Sequence, residues 1–160
     1  MSLPSSSPPP SSNKKIRRVI SCLLQHNQKI LILKRSKKVG SFQGYWSCVS
    51  GYLEKGEDPK ETAYREIGEE TSKESSTITC IQSAGPFYSE VPEVIFESYW
   101  FLFKCEDPKV ILDWEHDRHL WISPQQVKKY QTVPWLETMI KTLAPNDAQG
   151  RSSEEEASRN

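Results

Sequence analysis

One predicted helix, running from Asp58 to Thr71, restricts the fold of this 160-residue chain more than any other segment. Asp58 is suited to accept a hydrogen bond as the N-cap, Pro59 stands at the first helical position, and Glu61 completes a capping box. Two apolar residues inside the segment, four positions apart, face the predicted core. These signals are local, so they predict a helix independently of the rest of the fold.

The same helix carries three glutamates with a meaningful spacing. Glu66, Glu69 and Glu70 stand at i, i+3 and i+4, so their carboxylates lie on one face. Crowded carboxylates repel one another, and their pKa values rise unless a cation lies between them. Carboxylate oxygens suit hard ions, so the pattern favours a site for Mg²⁺ or Mn²⁺ over a zinc site. Gly51 permits a tight turn where a backbone carbonyl can approach such an ion. A solvated acidic face is the alternative that the spacing alone leaves open.

Strand signals before and after the helix predict a mixed α/β domain. The predicted strands cover residues 17–25, 29–34, 46–53, 77–83, 94–105 and 120–122. The first two are joined by a turn at 26–28 and form a hairpin. Two short helices, each opened by a proline, are predicted over 124–130 and 134–143.

The two ends of the chain differ from its centre in composition. Residues 1–13 are almost entirely Ser and Pro, and residues 145–160 are polar and charged, so both are predicted to be disordered tails. This leaves one domain over residues 14–144. The alternative that the tails are edges of a domain cut from a longer protein stays open.

Charge and cysteine content restrict the class of partner. The formal net charge is zero, so no basic surplus favours binding to nucleic acid. We expect neither a membrane span nor a secretory signal. The four cysteines lack the close pairs of a structural zinc site and fit a reducing compartment, cytoplasmic or nuclear. A small anionic ligand is compatible with this composition, because local charge can differ sharply from the total, and both a monomer and a homodimer remain open.

The segment from Gly51 to Glu70 resembles the signature box of the Nudix hydrolases. That pattern reads glycine, five residues, glutamate, seven residues, Arg-Glu, an aliphatic residue, one residue, Glu-Glu, one residue, glycine and an aliphatic residue. The matched positions are Gly51, Glu57, Arg65, Glu66, Ile67, Glu69 and Glu70. The sequence departs from the pattern at Ser72, in place of glycine, and at Lys73, in place of the aliphatic residue. The wider resemblance covers roughly residues 17–143 and implies a Nudix-type α/β/α sandwich with a mixed sheet.

The resemblance implies a role for each matched polar residue of the box. The implied ligands of Mg²⁺ or Mn²⁺ are Glu66, Glu69, Glu70 and, through its carbonyl, Gly51. Glu66 would also help to activate the attacking water, and Arg65 and Glu57 would join the loop to the helix as a charge pair. Ser72 falls where glycine normally provides a left-handed C-cap, at an expected cost of about 1 kcal/mol.

The identity of the general base is left open. Some family members use an acid from a loop beyond the box, and Glu115, six residues before Trp121, stands where related enzymes carry such a glutamate. Glu66 is a second candidate. His116 and His119 are further candidates, because a neutral imidazole titrates near working pH. A surface acid in a turn and isolated surface histidines are the structural alternatives.

Basic and aromatic residues near the box are candidates for binding a substrate. Arg35, Lys37 and Lys38 follow the second predicted strand and are suited to neutralise phosphate charge, although a solvated basic edge is an equal alternative. Phe42 lies in the next loop and is suited to stack on a nucleobase. Trp46 begins a strand and is predicted to be a core residue. The residues of these loops do not predict which nucleobase the chain would bind.

Two functional hypotheses result. The first is a divalent-metal-dependent hydrolase that cleaves a phosphoanhydride bond in a nucleoside diphosphate derivative or a nucleoside triphosphate. The second, motivated by Ser72 and Lys73, is a catalytically inactive Nudix-like module that binds a nucleotide, as part of a larger protein. The intact acids favour the enzyme, because losing one of them is the simplest route to an inactive copy.

Overall fold

The computed structural model of the chain describes residues 4–10 and 13–145. Its strands are β1 (Lys15–His26), β2 (Lys29–Arg35), β3 (Trp46–Ser47), β4 (Val49–Tyr52), β5 (Ile78–Val91), β6 (Val94–Cys105) and β7 (His116–Ile122). Its helices are α1 (Pro59–Thr71), α2 (Leu136–Leu143) and two short 3-10 helices, Ser75–Thr77 and Pro124–Lys129. No helix in the described part of the chain is long and apolar enough to cross a membrane.

The strands form one mixed sheet. Strands β3, β2, β1, β6 and β5 follow one another in that order, while β4 pairs with β1 and β7 pairs with β2. Strands β1 and β6 run parallel, and the other pairs are antiparallel. The mixed sheet that the sequence predicts is therefore confirmed.

One α-helix covers each face of the sheet. Ala63 and Ile67 of α1 pack with Cys22 and Leu24 of β1 in one buried cluster. Leu23, which lies between these two strand residues, belongs to the cluster on the opposite face, with α2. Because successive side chains of a strand point to opposite faces, β1 supplies apolar residues to both layers. This arrangement is the predicted α/β/α sandwich.

The predicted helix at residues 58–71 is confirmed, and other elements differ in extent. Asp58 caps α1 by accepting a hydrogen bond from the backbone N–H of Glu61 at 3.0 Å. Strand β5 continues to Val91, well beyond its predicted end at residue 83, because it pairs with β6 along its length. Strand β7 begins at His116, before the predicted start at residue 120, because it pairs with β2.

The two predicted C-terminal helices also differ in type or extent from the helices in the structure. Residues 124–129 form a 3-10 helix in place of a regular α-helix, and α2 begins at Leu136, after the predicted start at Pro134. In both cases the proline lies at or before the first turn, as its missing N–H requires.

The terminal segments are described only in part. Residues 1–3, 11–12 and 146–160 lie outside the described residues, so the disordered tails and the domain limits of 14–144 stay predictions. Within the first segment, the N–H of Ser5 donates to Tyr88 O at 2.9 Å, and the N–H of Tyr88 donates to Ser5 O at 2.7 Å. Ser5 therefore pairs with the edge strand β5.

The four cysteines are free thiols. Burial raises the pKa of Cys22 well above its ordinary range, that of Cys48 to about 12 and that of Cys105 to about 11. A buried thiol that stays protonated behaves as a small apolar residue. These three cysteines are therefore packing residues of the core.

Candidate active site

An ion pair joins α1 to the loop that precedes it. Arg65 Nη1 donates to Glu57 Oε2 at 2.6 Å, and the backbone N–H of Glu54 donates to Glu57 Oε1 at 2.7 Å. The hydrogen bond from Arg65 is the main reason that the pKa of Glu57 is lowered. Both carboxylate oxygens of Glu57 are thus bonded, and the loop is held against the helix. The contact is the one that the resemblance implies for these two residues.

Strand β4 brings Gly51 against the side chain of Glu66. A Cβ atom on residue 51 would lie 2.5 Å from Glu66 Cδ and 2.6 Å from Glu66 Oε2. Atoms do not pack this closely, so a larger residue at position 51 would displace the carboxylate. Pairing with β1, where Gly51 lies opposite Ile20, fixes the position of the strand. The glycine is therefore required by a close approach to an acid of the helix.

Glu70 is the most deeply buried acid of the helix. Its side chain is 1% exposed, and its Oε2 atom has no hydrogen-bond partner among the described residues. Burial raises the pKa of Glu70 well above its ordinary range, and the charges of Glu115, Glu66 and Asp113 raise it further. A hydrogen bond from the Ser50 backbone acts in the opposite direction. A carboxyl group in this environment needs a proton or a cation.

Glu66 and Glu69 occupy more open positions on the same helix face. Their side chains are 16% and 54% exposed. Burial, followed by the charge of Glu69, raises the pKa of Glu66. Arg65 approaches both acids, with Nη2 3.9 Å from Glu66 Oε2 and Nε 3.9 Å from Glu69 Oε2. The three acids thus extend from the interior to the surface along one face of α1, with a cation beside the outer two.

The loop before β7 brings a fourth acid, Glu115, to the cluster. Burial raises the pKa of Glu115 to about 7, with the charge and hydrogen bond of Asp113 and the charge of Glu66 as further causes. The charge of Glu115 is also the largest electrostatic cause of the raised pKa of Glu70. The backbone N–H of Ser36 donates to Glu115 O at 2.8 Å. Glu115 is therefore half-buried near α1 and is not an isolated surface acid.

Asp113 belongs to the same cluster, although the sequence analysis did not select it. Its Oδ1 atom accepts a hydrogen bond from the backbone N–H of Glu115 at 3.2 Å. Its charge contributes to the raised pKa values of Glu66, Glu70 and Glu115. The alternation of acids at positions 113, 115 and 117, directly before and at the start of a strand, is the sequence signal that points to it.

His116 lies buried beside these acids. Its Nδ1 atom is 3.5 Å from Asp113 Oδ1 and 3.8 Å from Glu70 Oε1. Neither ring nitrogen has a hydrogen-bond partner among residues 4–10 and 13–145. Burial lowers the pKa of His116, which favours the neutral ring. A surface position is therefore wrong for His116, while His119 is half-buried on β7 opposite Leu33.

Arg35, the last residue of β2, acts electrostatically on Glu115 of this cluster. The charge of Arg35 lowers the pKa of Glu115, and Arg35 Nε donates to Ser41 O at 2.9 Å. Lys37 and Lys38 are exposed in the next loop, whose first residue is bonded to Glu115. A bound phosphate between these residues and the acids stays a prediction.

Phe42 belongs to an aromatic cluster. Its ring centroid lies 5.4 Å from that of Tyr45 and 6.0 Å from that of Trp135, both edge to face. Its φ of 50° is in the left-handed region, which is unusual for a non-glycine residue and is often found at functional sites. Trp46 is buried, as predicted, and Trp135 is an aromatic neighbour that the sequence analysis did not select.

The oxygen donors fit a hard divalent cation. No three His, Cys, Asp or Glu side chains of residues 4–10 and 13–145 already enclose a point that would hold a metal ion. The chemistry of the acids nevertheless suits Mg²⁺ or Mn²⁺, since both ions prefer oxygen ligands. The unpartnered Oε2 of buried Glu70 and the space that Gly51 leaves for Glu66 are consistent with such a ligand.

The chain is similar to known proteins over most of its length. The family model described as NUDIX domain matches residues 14–143. An RNA pyrophosphohydrolase from Gluconobacter oxydans is 26% identical over 121 residues, which cover 66% of this chain and 69% of that protein. The crystal structure of a MutT protein from Methanosarcina mazei shares 21% identity at a TM-score of 0.67, covering 82% of this chain and 95% of that one. A C. elegans Ap4A hydrolase shares 18% identity at a TM-score of 0.64, covering 78% and 93%. The structural likenesses establish a shared fold.

Proposed function

Since this chain belongs to the NUDIX domain family and is a Nudix hydrolase, we propose that it cleaves a phosphoanhydride bond with the help of Mg²⁺ or Mn²⁺. The proposed substrates are nucleoside diphosphate derivatives and nucleoside triphosphates. The observation that carries the proposal is buried Glu70, whose Oε2 is unpartnered among the described residues and whose pKa is raised by burial and by Glu115, Glu66 and Asp113. Titratable groups perturbed in this way are concentrated at functional sites.

The residues proposed to hold the metal are Glu66, Glu69, Glu70 and the carbonyl of Gly51. When bound, a divalent cation would neutralise phosphate charge and make a bound water more acidic. The cation would also remove the repulsion among the acids, which is the cause of part of their raised pKa values.

Glu115 is the proposed general base. With a pKa of about 7, its carboxylate is present in about half of the molecules at neutral pH, which suits a group that accepts a proton there. The water oxygen forms a bond to phosphorus while the anhydride P–O bond breaks and its electron pair leaves with the departing phosphate. The water proton passes to Glu115. Glu66, half-buried on α1, is the alternative base.

The remaining residues are proposed to bind and orient the substrate. Arg35, Lys37 and Lys38 would offset the negative charge of the phosphates, and Phe42 would contact the base. Arg65 and Glu57 do not need to touch the substrate, because their ion pair holds the loop of the box against α1.

A substrate panel with a matched pair of variants tests the proposal. Nucleoside triphosphates, dinucleoside polyphosphates, ADP-ribose, sugar nucleotides and NADH are incubated with Mg²⁺ or Mn²⁺, and phosphate release is measured with and without a phosphatase. We expect one strong activity that is abolished in Glu69→Gln and retained in Glu61→Gln, an exposed acid of the first turn of the same helix. Tight binding of a compound that is recovered unchanged would favour the inactive binding module.

We further propose that the chain works in the cytoplasm or the nucleus, since its four cysteines are free and three are buried as thiols. Imaging of a fluorescent fusion tests this location. Light scattering of the purified chain distinguishes a monomer from a homodimer.

A further inference from the structure

Lys73 is a buried lysine at the end of α1. Its side chain is 4% exposed. Its Nζ atom donates to the backbone oxygens of Asp107 and Lys109, each at 2.8 Å, and lies 3.4 Å from Asp107 Oδ1. An ammonium group is costly to bury unless it is hydrogen-bonded, so these contacts explain how Lys73 is accommodated. They also attach residues 107–109 to the helix.

Two further bonds attach the next part of this loop to the same helix end. The N–H of Ile111 donates to Thr71 O at 3.0 Å, and Ser72 Oγ donates to Ile111 O at 3.2 Å. Ser72 adopts a left-handed conformation with φ of 64°, which directs the chain away from the helix. The segment 107–111 is thus bonded by residues 71, 72 and 73 in succession.

The segment leads directly to the acids of the site. Asp113 and Glu115 follow Ile111 in the sequence. The buried His116 Nδ1 lies 3.5 Å from Asp113 Oδ1 and 3.8 Å from Glu70 Oε1, so this loop packs directly against the acids of α1. On the far side, Ser36 Oγ donates to Trp114 O at 2.9 Å. The loop that carries the two acids is therefore fixed at one end by Lys73 and its neighbours and at the other by Ser36.

We propose that Lys73 and Ser72 are positioning residues, which hold the loop 107–115 so that Asp113 and Glu115 face the acids of α1. This inference rests on the proposed function. It gives a structural role to Ser72 and Lys73, the two residues at which the chain departs from the Nudix pattern. An aliphatic residue at position 73 would fill the space but would leave the two backbone oxygens without the ammonium donor. The departures are linked, because both residues bond to the same loop.

The test compares Lys73→Met with Lys60→Met, an exposed lysine on the same helix. Hydrogen–deuterium exchange is measured on the metal-free protein, and kcat and KM are measured with the panel compound that the wild-type chain hydrolyses fastest. In Lys73→Met we expect exchange in 107–116 to accelerate by about tenfold or more while the sheet stays protected. We expect kcat to fall by about tenfold or more, as for other residues that orient catalytic groups, with KM within about twofold. Lys60→Met should have the exchange rates and the kinetic constants of the wild type.

Ser72→Gly provides a second variant in case Lys73→Met does not fold. Glycine adopts the left-handed conformation without strain, so this variant should fold at least as well as the wild type. Loss of the hydroxyl bond to Ile111 should accelerate exchange in 107–116 and lower kcat by a few-fold, with no loss of thermal stability.

Three results would overturn the inference. The first is an exchange rate in 107–116 that Lys73→Met leaves unchanged. The second is an exchange rate that rises evenly over the whole domain. The third is faster exchange in 107–116 together with an unchanged kcat. If the wild-type chain hydrolyses no compound, the proposed function fails by itself. The inference is then decided by exchange and by Mn²⁺ affinity, which Lys73→Met should weaken by about tenfold.

Discussion

His116 Nδ1 lies 3.8 Å from Glu70 Oε1, and both side chains are almost completely buried. The two residues come from different layers of the domain, because Glu70 is on α1 and His116 begins β7. Pairing of β7 with β2 brings the histidine and the preceding acids to the helix. The acid cluster is thus an assembly of one local motif and one distant loop.

Gly51→Ala should impair activity more than stability. The added Cβ would lie 2.5 Å from Glu66 Cδ, which is part of a side chain that can rotate away without unfolding the strand. We expect kcat to fall by about tenfold or more because the carboxylate is displaced. Gly68→Ala, on the same helix, is the control, since its Cβ would make only an ordinary contact of 3.6 Å with Lys73 O. A Gly51→Ala enzyme with normal kcat would contradict the assigned close approach.

Glu70→Gln should abolish turnover without destabilising the metal-free protein. Burial raises the pKa of Glu70, so the ionised carboxylate is unfavourable in the folded state, whereas a neutral amide avoids this cost. We expect the melting temperature in EDTA at pH 8 to equal or exceed that of the wild type. A marked fall in that temperature would mean that the ionised carboxylate stabilises the fold.

The dependence of kcat on pH should report Glu115. Its pKa of about 7 lies above the ordinary value of 4.5, and a general base must be unprotonated. We therefore expect kcat to rise with pH through about 7 and to level off above it. Glu115→Gln should lower kcat and remove this rise. A rise that persists in Glu115→Gln would assign the base to Glu66 instead.

Metal-free protein should lose stability as the pH rises. The pKa values of Glu66, Glu70 and Glu115 are all raised in the folded state, so the folded chain binds more protons than the unfolded chain above the ordinary value of 4.5. The free energy of unfolding therefore falls as the pH rises from about 4.5 through about 7. Differential scanning fluorimetry at pH 5 and pH 8, with EDTA or Mg²⁺, measures this. We expect Mg²⁺ to raise the melting temperature more at pH 8, and an equal effect at both pH values would argue against binding at these acids.

The sequence by itself determined the elements whose signals are local. The cap formed by Asp58 and the spacing of Glu66, Glu69 and Glu70 act within a few residues, so the helix and its acidic face could be predicted directly. The alternation of apolar residues likewise predicted the strands of the sandwich, and the box identified the family. The roles of the individual site residues stay predictions.

Only the tertiary structure decided which acids are buried and which distant residues join them. Burial of Glu70 depends on the packing of α1 against the sheet, and the position of Glu115 depends on a strand pairing across the chain. The alternating acids at positions 113, 115 and 117 are only a weak signal for Asp113, and no local pattern predicts the burial of His116. Lys73 stands at a position where the box has an aliphatic residue, and only the fold shows that its ammonium donates to the backbone at 107 and 109, more than thirty residues away. Local propensity acts over a few residues, whereas burial and electrostatic coupling arise from contacts that only the folded chain makes.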